Sequence, residues 1–92
     1  MVKIVITAKV EDTASWERKF RTHGDFFKDF GISSPISYAI GRDNEVAIIQ
    51  EVTDVETFEK GLASPETEQA MSHDGVIRES FKYFVVDKDF SF

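Results

Sequence analysis

The chain has no cysteine among its 92 residues. Disulfides, thiol nucleophiles, iron–sulfur clusters and cysteine-type zinc sites are therefore excluded. Cationic charge is also scarce. There are 11 Lys+Arg against 17 Asp+Glu, a net charge of −6, and the basic residues are interleaved with acids. Binding to phosphate backbones needs clustered cations, so no nucleic-acid partner is expected, and no anionic membrane surface either. The apolar runs stop well short of membrane-spanning length. The start, MVKIVITAKV, alternates like a strand and has no signal-peptide pattern, so a cytoplasmic location is expected. The five glycines, at 24, 31, 41, 61 and 75, form no Gly-x-Gly cradle for a phosphate. There is no Gly-x-Ser-x-Gly elbow. There is also no His-x-x-x-His, and the two histidines stand 50 positions apart (73 − 23). No metal and no cofactor is expected on this inventory.

Aromatic residues are what the chain has in plenty: nine Phe, two Tyr and one Trp, 13% of the total. A chain of this length supports one domain, 1–92. Its apolar content is rich enough to suggest a second buried surface, and hence a homodimer.

Two segments resemble each other, VEDTASWER (10–18) and VTDVETFEK (52–60). Each follows an extended apolar run. In each, an aspartate (Asp12 or Asp54) is placed to cap a helix, and four residues later an aromatic (Trp16 or Phe58) points back at a sheet. The coarse reading is strand 2–10, helix 13–30, strand 35–42, strand 45–53, helix 55–72 and strand 80–87. GRDNE (41–45) carries hairpin residues. Ser64–Pro65 predicts a kink or a split in the second helix, and Gly75 its C-terminal stop. The order βαββαβ predicts a ferredoxin-like α+β fold with a four-stranded antiparallel sheet. Within it, the first and third strands are read as parallel central neighbours, with Lys9 able to pair with Glu51.

Both faces of the predicted sheet are apolar. Ile4, Ile6, Ala8 and Val10 alternate with a set that includes Val5. Ile48 and Gln50 alternate with Ala47 and Ile49, and Phe81, Tyr83 and Val85 alternate with Phe84 and Val86. Two helices cover only one face. A second copy packed on the other gives a dimeric α+β barrel, with Phe90 and Phe92 of the tail docked on the partner.

In helix 13–30 the spacing places Trp16, Phe20, His23, Phe27 and Phe30 on one face. His23 has two readings. It is a neutral core-edge histidine bonded to backbone or to a tyrosine, or it is a pocket base or donor tuned by burial. Tyr38, Gln50 and Tyr83 each put a polar group on an apolar strand face, and such a group needs a partner. Converging with His23, Tyr38 and Gln50 make a small-molecule site. Trp16, Phe20 and Phe27 then supply its apolar walls, and the ligand is small and apolar or aromatic. For the two tyrosines the alternative is an ordinary half-buried ring with its hydroxyl at the rim.

The alternating first strand, Asp12 with Trp16–Glu17 and Phe20, His23, Gly31–Ile32, the hairpin into VAIIQEVTD, Phe58 and SPETEQAM together resemble the dimeric α+β barrel superfamily. The resemblance covers nearly the whole chain and lies near small proteins related to antibiotic-biosynthesis-type monooxygenases. It implies a ligand held between the sheet and the helices of each protomer. Haem-degrading members use an Asn, a Trp and a His, and this sequence departs from them: its one asparagine, Asn44, lies in the hairpin. Two functions stay open. One is a small-molecule-binding protein or cofactor-independent enzyme, monooxygenase- or isomerase-like, with His23 and Tyr38 as catalytic groups. The other is a non-catalytic dimeric structural or regulatory module whose aromatics fill the core. Space between helix 13–30 and the sheet decides between them.

Overall fold

The computed structural model describes residues 1–92. The elements are β1 (Val2–Val10), α1 (Thr13–Phe20), α2 (Gly24–Asp29), β2 (Ile32–Ile40), β3 (Glu45–Val52), α3 (Val55–Leu62), α4 (Pro65–His73) and β4 (Val76–Val85). The four strands form one sheet in the order β2-β3-β1-β4. Every pairing is antiparallel, giving the expected ferredoxin-like α+β architecture.

The expectation that β1 and β3 run parallel is wrong. The crossover through α1 and α2 leaves β1 and β2 parallel, and the tight hairpin turns β3 against β2. Inserted between them, β3 opposes both. Lys9 therefore stands opposite Glu45, and Glu51 opposite Lys3. The hairpin is made by Asp43 and Asn44, at φ 57° and 61°. Those values suit a type I′ turn, which matches strand twist.

The single helix expected over 13–30 is also wrong, because it breaks at residues 21–23 into α1 and α2. Thr22 turns its hydroxyl onto the Lys19 carbonyl at 2.6 Å. That local bond competes with the helical ladder, and Gly24, a poor helix former, follows. The second helix splits at Ser64–Pro65 as expected. The Ser64 hydroxyl accepts from Thr67 N–H and Pro65 opens α4, the first-turn position that suits proline. Gly75, at φ +77°, ends it.

Both members of the internal repeat behave alike. Asp12 accepts from Ala14 N–H, and Asp54 accepts from Thr57 N–H at 2.7 Å. That backbone bond, followed by one from the Thr57 hydroxyl, holds the Asp54 carboxyl below its ordinary range. Four residues on, Trp16 and Phe58 are both buried. Each anchors one half of the core. Trp16 packs with Ala8, Val10, Phe20 and Val46, and Phe58 with Ile4, Ile6 and Val52.

All four helices cover one face of the sheet, the face carrying Ile4, Ile6, Ala8 and Val10. On the other face, Ile49, Val5 and Phe84 stand in one row across β3, β1 and β4. Ile49 is 43% exposed and Phe84 58%. This is the apolar, uncovered face anticipated from the strand alternation. No helix is long and apolar enough to cross a membrane.

Candidate functional site

A cavity of about 110 Å³ lies between the helices and the covered sheet face, partly open to solvent. The aromatics therefore do not fill this gap. The floor is Ile6, Ala8, Ile48 and Gln50 of the sheet, which share one face because strand side chains alternate. Trp16 and Phe20 of α1 wall one side, stacked with ring centroids 4.7 Å apart. Phe26 and Phe27 of α2, Phe30 at its C-terminal cap and Phe58 of α3 add further rings. Gly61 of α3 lets α2 close in: a Cβ there would stand 2.9 Å from Cδ1 of Phe30.

Two polar features interrupt this apolar lining. The first is Gln50. It is 4% exposed, its amide makes no hydrogen bond within the chain, and neither amide atom is sealed from open space. A buried amide without a partner costs stability, so this one presents unused donors and an acceptor to the cavity.

The second is His23. It caps α2 rather than riding on a helix face, and its ring is about one-fifth exposed. Its Nε2 lies 3.0 Å from Oδ1 of Asp74. Asp74 ends α4, is 6% exposed, and also lines the cavity. The same Oδ1 is 3.0 Å from Nδ1 of His73, and the two imidazole centroids are 6.3 Å apart. Asp74 Oδ1 is placed to accept from His23 Nε2 in the tautomer that carries its proton there and its lone pair on Nδ1.

The sequence-predicted residues divide into two groups. Trp16, Phe20, His23, Phe27 and Gln50 all line the one cavity. Tyr38 and Tyr83 do not. Tyr38 stacks edge-on against Trp16 and Phe20, and its hydroxyl faces outward. There it donates to Glu17 at 2.6 Å and accepts from Arg21 at 2.9 Å. Tyr83 lies edge-on to Phe58, and its hydroxyl donates to Glu59. That bond raises the Tyr83 hydroxyl pKa. Both rings are packing residues with a tethered hydroxyl at the rim.

Sequence reasoning missed Asp74. The one available signal was its place in His73–Asp74–Gly75. Nothing there shows that the α4 end meets the α1–α2 turn.

His23→Leu is therefore expected to destabilise the fold, because it takes a partner from a buried carboxylate. On the sequence alone, the pocket-base reading of His23 predicts held or raised stability with loss of ligand binding, and the structural reading a large loss of stability. A loss of about 1–3 kcal/mol in a urea titration is the expected result. An unchanged midpoint would mean that the Asp74 contact contributes nothing.

No protein-family model matches the sequence, and no curated protein matches it. Solved structures do match in shape. SnoaB from Streptomyces nogalater, described as a cofactor-independent oxygenase, superposes with a TM-score of 0.70 at 21% identity, covering 98% of this chain and 94% of that one. A Bordetella bronchiseptica protein assigned to the antibiotic biosynthesis monooxygenases gives 0.76 at 9% identity, covering 97% of both chains. At3g17210 from Arabidopsis thaliana gives 0.68 at 9% identity, covering 100% and 99%. The fold is that of the antibiotic biosynthesis monooxygenases. At these identities the likeness is one of fold, and chemistry has to be argued from the site.

Proposed function

We propose that the chain binds a small, mostly apolar ring compound bearing one hydroxyl or carbonyl group, in the cavity between helices and sheet. His23, oriented by Asp74, is the proton acceptor for cofactor-independent chemistry on that compound, monooxygenase- or isomerase-like. The observation that carries this reading is Gln50. Its buried, unpartnered amide at the wall of an apolar cavity is completed by a polar substituent on the ligand, the usual construction of a small-molecule site. His23 fits the second role because its ordinary pKa lies near neutrality. Removing a proton from a phenol or enol leaves an electron-rich anion. That anion either reduces dioxygen directly or takes the proton back at another atom. The cofactor-independent oxygenase among the structural neighbours supports the first outcome.

The size of the cavity limits the ligand. An apolar cavity of about 150 Å³ holds benzene, so at about 110 Å³ this one takes at most a single ring, and only as its wall yields, which the flexible side chain of Met71 allows. Phenol is the appropriate probe. Trp16, the chain's one tryptophan, lines the cavity and reports on it. Saturable quenching of Trp16 fluorescence by phenol is expected, and it disappears in Ala70→Leu, whose added carbons occupy the cavity. Quenching that stays linear in phenol, or that is equal in the variant, would contradict the proposal.

A second copy of the chain covers the open sheet face. The apolar row Ile49–Val5–Phe84, with Phe84 58% exposed, supports this, as does the tail, where Phe90 and Phe92 are 85% and 111% exposed and stack only on each other. Sedimentation is expected to give twice the chain mass, falling to a folded monomer in Phe84→Asp. A wild-type monomer would overturn the homodimer.

A further inference from the structure

We propose that His23, His73 and Asp74 form a binding site for one divalent transition-metal ion, of the kind represented by Zn²⁺ and Co²⁺. The chain's two histidines, one between α1 and α2 and the other at the end of α4, meet at one carboxylate. Oδ1 of Asp74 is 3.0 Å from Nε2 of His23 and 3.0 Å from Nδ1 of His73. All three ligand atoms lie within 4.8 Å of one another. Two imidazole nitrogens and one carboxylate oxygen form a donor set suited to such ions.

The geometry needs only small adjustment. Around a tetrahedral ion with bonds of about 2.0–2.1 Å, donor atoms stand roughly 3.3 Å apart. The two 3.0 Å contacts open by a few tenths of an ångström, and the histidines draw together. His73 is free to supply that movement, since its side chain is 61% exposed. The other two ligands are held. Asp74 is buried, with its N–H on the Ala70 carbonyl at 3.0 Å, and the His23 N–H is on the Phe20 carbonyl at 3.2 Å.

Nearby charge acts in both directions. The Lys19 ammonium sits 3.0 Å from the His73 carbonyl oxygen and opposes a cation. The Glu11 carboxylate lies against Gly75 and favours one.

Three protein ligands leave a fourth position for water, the pattern of an exchangeable rather than a closed structural site. His23 and Asp74 also line the cavity, so the ion would sit in its wall. One consequence rests on the proposed function: Nε2 of His23 cannot hold both the ion and the proton shared with Asp74. The loaded site and the His23–Asp74 acid–base pair are alternative states of the same side chains, and the ion switches that chemistry off.

The test is a Co²⁺ titration of the full chain after dialysis against EDTA, followed by visible absorption. The expected result is one ion per chain, with the intense bands of low-coordinate Co²⁺. Affinity falls at least tenfold in His73→Ala, an exposed position whose folding is checked by circular dichroism. Lys19→Met, by contrast, tightens binding. Weak pale-pink binding typical of six-coordinate cobalt, or binding unchanged in His73→Ala, would overturn the inference. Phenol binding by the metal-free protein is measured alongside. If phenol binds and Co²⁺ does not, the metal site fails and the cavity reading stands. If Co²⁺ binds and phenol does not, the reverse holds.

Discussion

Replacing Trp16 with alanine is expected to cost about 3–5 kcal/mol, the range for removing a large ring from a core. The side chain is 1% exposed. It stacks on Phe20 at 4.7 Å, meets Tyr38 edge-on at 5.6 Å, and closes the half of the core built by Ala8, Val10 and Val46. A domain of this size has about 5–15 kcal/mol in total, so one substitution removes a large part of it. The indole also walls the cavity, and the void it leaves joins space already there, which limits how far the neighbours can collapse. The measurement is the urea midpoint by circular dichroism. A loss under about 1 kcal/mol would mean that Trp16 is not the anchor of this half. Trp16→Phe, which keeps a ring on Phe20, is expected to recover most of the difference.

Gln50→Leu is expected to act in the opposite direction on stability. Leucine has nearly the same volume and no amide. The amide of Gln50 has no partner in the chain and only a narrow opening to solvent, and confining such a group in an apolar wall costs up to about 1–3 kcal/mol. Removing it should raise the melting temperature by at least about 4 °C, since 1 kcal/mol moves a domain of this size by about 4–8 °C. Phenol affinity should fall at least tenfold, because the hydroxyl loses its partner, while benzene, which has no hydroxyl, binds as before. The rise in stability with loss of a polar ligand marks a residue kept for binding. A fall in melting temperature would instead show that the amide supports the fold.

The fold was legible in the sequence because its signals are local and repeated. Asp12 with Trp16 and Asp54 with Phe58 each give a cap followed by a buried ring, and Ser64–Pro65 and Gly75 mark where helices start and stop. The alternation in β1, β3 and β4 showed two apolar faces, and the structure has one covered and one open. The helix over 13–30 misled because its aromatic spacing continues through residues 21–23. The competing Thr22 hydroxyl and Gly24 weigh more than periodicity there, since neither break residue is apolar and periodicity counts only apolar positions. The strand direction error was one of topology: with β3 placed between two parallel strands, the hairpin fixes it as antiparallel to both.

The site was half legible. Gln50 stood out as a polar residue on an apolar face, and His23 as a titratable ring among aromatics. Both line the cavity. Tyr38 carried the same signal and does not, because Glu17 and Arg21, one helical turn apart, reach its hydroxyl from outside. A polar atom on an apolar face shows that a partner is needed, not which partner it has. Asp74 was illegible because its role depends on two chain turns meeting 51 residues apart in sequence, which no local pattern encodes.

The central claim is that the cavity takes a ligand whose polar group meets Gln50. The most direct measurement is a ¹H–¹⁵N spectrum of the side-chain amide of Gln50 during titration with phenol and, separately, benzene. Phenol is predicted to shift that amide pair saturably, with benzene giving a clearly smaller change. An amide that stays in place while phenol saturates the protein elsewhere would contradict it.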